Sequence, residues 1–205
     1  MVGVFRSVTA PALLVLACLL SRDAFACACC TDPGQRRVGT EKLDSGKHDE
    51  IQRVRFARPA RLYLDDAGFD GIKGVIAPSE HYDLRVSQAN GGFVFALRND
   101  AGREGTLTLS KPDSVSIFEV DPRETASEGG QGPRLYKEWK LTSRARGTGI
   151  FAVGATGASF ITLILQGHGN SCTSSEDFTH WTLVVQGPNA AYSLFGDLLT
   201  DSSRR

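Results

Sequence analysis

Four residues stand close together in a way that suggests chemistry: Cys27-Ala28-Cys29-Cys30, followed much later by a fourth thiol at Cys172. Thiolates are soft ligands and bind Cu(I), Zn and similar ions. They also pair as disulfides wherever the compartment is oxidising. Cys172 lies in Gly167-His168-Gly169-Asn170-Ser171-Cys172, and Glu176-Asp177-Phe178-Thr179-His180 follows shortly after. His168 and His180 therefore flank Cys172, and imidazole suits the same ions. Cys27, Cys29, Cys30, Cys172, His168 and His180 make the candidate metal set, and any four of them complete a tetrahedral site. Two other outcomes compete with it. Setting aside Cys18, which lies in the apolar run before residue 26, four thiols permit two disulfides in three pairings, and each pairing fastens the N-terminal cluster to Cys172. Exposed neighbouring thiols can also exchange disulfides.

The surrounding motifs narrow the options. Cys27 and Cys30 have C-x-x-C spacing, but Cys29 interrupts it and Thr31 follows where covalent haem attachment needs His. The run Asp65-Asp66-Ala67-Gly68-Phe69-Asp70-Gly71 offers oxygen ligands for Ca²⁺ without the spacing of the twelve-residue calcium loop. There is no G-x-S-x-G and no H-E-x-x-H, so no motif assigns a reaction. Tyr136, Trp139, Phe151, Phe160, Trp181 and Tyr192 either line a ligand cavity or fill a core, and small barrels are usually filled by their side chains.

The thiols owe their context to the first 26 residues. Arg6 precedes the apolar run Ala10 to Leu20, which is too short to span a bilayer, and Ala24-Phe25-Ala26 supplies small residues ahead of a cut. These features read as an export signal covering 1–26, with Cys27 at the new N-terminus and the protein in the periplasm or outside the cell. A lipid anchor on Cys27 is disfavoured, because Ala24 stands where a lipoprotein signal carries a large aliphatic residue. Removing Arg6, Arg22 and Asp23 from 23 basic and 23 acidic groups leaves 21 and 22. A charge so near zero gives no field for nucleic acid. The expected partners are a metal ion, with Cu or Zn as the cofactor, or another protein.

The elements that must position these groups read as antiparallel β. Tyr82, Leu84 and Val86 alternate with polar residues, Phe93, Phe95 and Leu97 follow across Asn90-Gly91, and Trp181, Leu183 and Val185 repeat the pattern. Leu135, Trp139 and Leu141 share a parity that Lys137 interrupts. About eleven strands are expected: 51–57, 60–64, 72–77, 81–88, 92–98, 103–110, 114–120, 134–143, 149–153, 158–167 and 178–195, the last split at Gly187-Pro188-Asn189. The expected fold is an all-β antiparallel meander closing into an up-and-down barrel, with a two-sheet sandwich as the close alternative. Residues 27–50 read as a polar Cys-containing extension, 51–205 as one all-β domain, and 121–133 and 166–180 as loops. The function expected of this arrangement is binding, with soft-metal handling first. A disulfide-stapled structural or assembly protein without catalysis is the alternative. A hydrolase or lyase using 121–133 as a lid comes third.

Overall fold

Alternating apolar residues can bury one sheet face only if the sheet finds something to cover it, and here the sheet covers itself. A computed structural model describes residues 36–122, 135–169 and 174–199. Among them are ten strands and one α-helix: β1 (Arg36–Lys42), α1 (Ser45–Arg53), β2 (Phe56–Leu62), β3 (His81–Ala89), β4 (Gly92–Asn99), β5 (Glu104–Leu109), β6 (Ser114–Val120), β7 (Leu135–Gly149), β8 (Phe160–Gly169), β9 (Phe178–Gly187) and β10 (Ala190–Leu198). Eight of them run β7-β5-β4-β3-β2-β10-β9-β8, and β8 pairs back onto β7. All these pairings are antiparallel, so the barrel closes and the sandwich is excluded.

The two remaining strands, β1 and β6, extend the wall beyond the barrel. β5 and β6 lie along the same side of the long β7, with Leu109 opposite Ala145 and Ser116 opposite Lys140. The β5–β6 side carries two more residues than β7 over this stretch, and the excess falls at Ser110–Asp113. Pro112 sits in that break, where its missing N–H costs no ladder bond. β1 then pairs with β6, from Arg36 opposite Val120 to Lys42 opposite Ser114.

Inward residues fill the barrel. Phe93, Phe95, Leu107, Leu109, Leu163, Leu183 and Leu194 are all buried. Phe56 meets Phe93, Phe95 and Trp181 edge-on, with ring centroids 5.5–5.7 Å apart. α1 packs against one end of this core through Ile51 and, just after it, Val54. Asp44 starts the helix by accepting the Lys47 N–H at 2.7 Å. The segments 63–80 and 149–160 meet at the other end. Ile76 N–H donates to Ile150 O, Phe151 stacks on Tyr192, and Gly74 lies against Gly154 too closely for a side chain on either. The β3–β4 turn is closed by Asn90 and Gly91, both at positive φ, the two-residue turn that matches strand twist.

Several sequence expectations shift. Residues 36–42 are a strand rather than part of a featureless extension, and 51–53 end a helix, because Ile51 and Val54 have helical spacing behind the Asp44 cap. Residues 72–77 contribute one bridge, Lys73 with Ala191, and of 149–153 Gly149 ends β7 while 150–153 form a turn. Trp139, Phe151, Trp181 and Tyr192 are core residues at most 4% exposed, whereas Phe160 is 44% exposed beneath the Arg144 guanidinium. Among the described residues no helix is long and apolar enough to cross a membrane.

Candidate functional site

The extension beyond the barrel has an outer and an inner face, and chemistry-bearing residues collect on both. On the outer face, one row of paired positions crosses four strands: Arg36, Val120, Tyr136 and His168. The Tyr136 ring lies edge-on to His168, with centroids 5.4 Å apart, and to Phe118 at 6.1 Å. The Tyr136 hydroxyl donates to Glu138 Oε2 at 3.1 Å, and Gln166 Nε2 donates to both at 3.0 Å. Burial pushes the Tyr136 phenol up, with the Gln166 hydrogen bond opposing.

His180 pairs with this same Gln166 across β8 and β9. Its Nδ1 is 2.8 Å from Thr179 Oγ1, and its Nε2 is 3.5 Å from Asp197 Oδ1. A surface groove of about 660 Å³ beside it is bordered by Arg61, Phe195 and Asp197. His168 and His180 were expected in a loop. Both instead lie exposed on strands, because β8 continues to Gly169 and β9 begins at Phe178. A bulge places Thr179 between the residues paired with Gln166 and Gly167, which lets His180 face outward beside Gln166. Cys27, Cys29, Cys30 and Cys172 lie outside the described residues. Among the described residues, no three His, Cys, Asp or Glu side chains cluster as a metal site. The acidic run 65–71 forms a turn in which Asp65 Oδ1 accepts the Ala67 N–H.

The inner face holds a buried charged layer that motif reasoning did not identify. Lys137 occupies an inward position between Leu135 and Trp139, and its side chain is 0% exposed. Its Nζ donates to Ser174 O at 2.5 Å and lies 2.9 Å from Asp177 Oδ2. The same ammonium sits 4.7 Å from the Phe178 ring centroid and 5.9 Å from that of Trp139. Across the ladder, Lys137 pairs with Glu119, which is also buried and takes one hydrogen bond from Arg37 Nη1 at 3.2 Å. Asp121 is buried as well. Burial pushes the Lys137 ammonium below its usual range, and the hydrogen bond to Asp177 works against that shift. The one sequence signal for this layer was the broken parity at Lys137. A charge on an apolar face has to be paired to stay there.

The layer is tied to α1 through a short 3₁₀ turn, Ser175–Asp177, whose leading Ser174 accepts the Glu176 N–H. Glu50 of α1 accepts from both the Ser175 N–H and the Ser175 hydroxyl, each at 3.0 Å. The Ser175 N–H is the main cause holding the Glu50 carboxyl below the usual carboxylate range, with desolvation opposing. Both sides of the segment 170–173 are thereby anchored: Gly169 ends β8 opposite Leu135, and Ser174 and Ser175 are held by Lys137 and Glu50. Comparison with known protein families, with characterised proteins and with solved structures gives no match in any of the three.

Proposed function

We propose that the protein is an exported binding protein that holds a soft metal, Cu(I) or Zn, with ligands drawn from Cys27, Cys29, Cys30, Cys172, His168 and His180. The observation that carries this reading is the strand register at the extension. Arg36 and His168 end the same row of four strands, so three inter-strand steps of roughly 4.8 Å, about 14 Å in all, separate their backbones. Cys30 lies six residues before Arg36, a length of chain that reaches up to roughly 20 Å. Cys172 lies three residues after Gly169, and His180 stands on the neighbouring strand. His168, His180 and the strand ends at Arg36 and Gly169 that lead toward the four cysteines lie at one end of the sheet, and thiolate with imidazole is a donor set suited to these ions.

The test is anaerobic reconstitution of the exported chain with Cu(I) or Zn, reading metal stoichiometry by native mass and elemental analysis. The expected result is a stoichiometric ion, lost from a variant with Cys27, Cys29 and Cys30 all changed to Ser. Four fully oxidised cysteines with no retained metal would overturn the proposal. A second reading, a structural or assembly protein with the same cysteines as staples, is favoured by the filled interior and the packing of α1 and of 63–80 with 149–160 over its two ends. It expects two disulfides, or a covalent dimer, on comparing reduced and non-reduced masses.

A further inference from the structure

We propose that Lys137 and Asp177 condense to an intramolecular isopeptide bond, with Glu119 carrying the proton between them. Three independent features of the inner layer support this. First, the reacting groups are in contact: Lys137 Nζ is 2.9 Å from Asp177 Oδ2, an ion pair that holds the amine beside the carboxyl carbon it would attack. The strands hold them there, since Lys137 is fixed in the β6–β7–β8 ladders and Asp177 directly precedes β9. Ser174 O also accepts from Nζ and orients the amine.

Second, the surroundings favour the neutral reactants over the ion pair. The Lys137 side chain is fully buried, with Phe178 and Trp139 rings beside its nitrogen. Buried ions are costly, and neutralising an amine and a carboxyl by proton transfer relieves that cost. Glu119, which is ion-paired with Arg37, lies on β6 and Asp121 just after it; both are buried, so the layer around Lys137 is both desolvated and acidic. Burial also pushes the Lys137 ammonium down.

Third, Glu119 is placed to move the proton. It sits opposite Lys137 in the β6–β7 register, where side chains start roughly 5 Å apart. Arg37 holds Oε2, while the buried Oε1 has no hydrogen-bond partner. Oε1 makes no hydrogen bond to Lys137 Nζ in this arrangement, so the relay requires the Glu119 side chain to close on the nitrogen.

The step balances without an oxidant or cofactor. The neutral Lys137 Nζ attacks Cγ of the protonated Asp177 carboxyl, forming the C–N bond. Glu119 Oε1 takes a proton from the nitrogen and returns it to the departing hydroxyl as the C–O bond breaks. One water leaves, past the Asp177 side chain, which is 20% exposed. The product amide joins β7 to the turn before β9.

The experiment is intact-mass analysis of the purified full chain after denaturation, reduction and alkylation, followed by tryptic mapping. The expected mass falls short of the sequence mass by one water. The map shows the Lys137 peptide joined to the Asp177 peptide and no cleavage after Lys137. Asp177→Ala and Glu119→Gln should both restore the full mass while circular dichroism still reports a β fold. Because the decisive reading is made on the unaltered chain, a variant that fails to fold does not blunt it. A full sequence mass with ready cleavage after Lys137 overturns the proposal, as does a water deficit without the joined peptide. A cross-link that persists in Glu119→Gln overturns the role given to Glu119.

Discussion

Replacing Glu50 by Ala tests whether α1 holds the segment that leads into β9. One carboxylate oxygen accepts both the Ser175 N–H and the Ser175 hydroxyl. Ser175 is 8% exposed, so its N–H has little access to water once the acceptor is gone. A hydrogen bond to a charged group contributes about 1.5–3 kcal/mol when well shielded. The Glu50 side chain is 21% exposed and also meets Arg53, so solvent screening reduces the pair of bonds to about 2–3 kcal/mol in all. Glu50→Gln keeps an acceptor but loses the charge, and should cost about 1 kcal/mol. Urea unfolding of the wild type and both variants measures these differences. Acid gives the sharper check. The folded Glu50 carboxyl lies below its ordinary value of 4.5, so its stabilisation is complete above that value and is lost as the pH falls through the lower, folded one. The gap between wild type and Glu50→Ala should therefore hold at neutral pH, shrink below about 4.5 and fall in stronger acid to the smaller gap between Glu50→Gln and Glu50→Ala. A gap absent at neutral pH, or unchanged in acid, would refute the assigned contact.

Four further variants can be checked by the same unfolding measurements. Gly154→Ala would put a Cβ 2.6 Å from Gly74 O, an overlap of backbone atoms that should cost about 1–3 kcal/mol. Gly74→Ala should cost more, because Gly74 also has φ +88° and its Cβ would lie 2.4 Å from Asn189 O. Leu183→Ala empties a fully buried position in the barrel and should lose about 2–5 kcal/mol with the fold retained. Arg58→Ala removes two hydrogen bonds to Asp83, at 3.0 and 2.8 Å, yet should leave the midpoint unchanged because both side chains are well exposed.

The strands that line the barrel were legible because one face of each is apolar and the other polar. Phe93, Phe95 and Leu97 in β4, or Trp181, Leu183 and Val185 in β9, carry that signal without ambiguity. Barrel closure was less legible, since it rests on pairings such as Arg61 with Phe195 that no local pattern encodes. β1 was missed because it buries none of its residues: its Arg37 and Glu41 pair with each other, and Val38 stays 75% exposed. α1 was missed because it buries only Ile51 among charged neighbours. At the candidate site the sequence marked His168 and His180 inside a loop drawn over 166–180, although the strand expected from 178 begins where β9 does; the shortfall is at β8, which runs two residues past the expected 167. Lys137 was noticed only as a break in parity. Its significance comes from Glu119 and Asp177, 18 residues before it and 40 after, which a reading of local pattern cannot bring together.

The pairing of β1 with β6 also sets an order of events. Arg37 and Glu119 are 82 positions apart, so the first strand has nothing to dock on until the sixth has emerged and aligned. Loop closure over such a span is paid before any contact rewards it, and ladders of this kind form slowly. A chain emerging from its N-terminus therefore delivers β1 first and leaves it without a sheet partner until β6 follows.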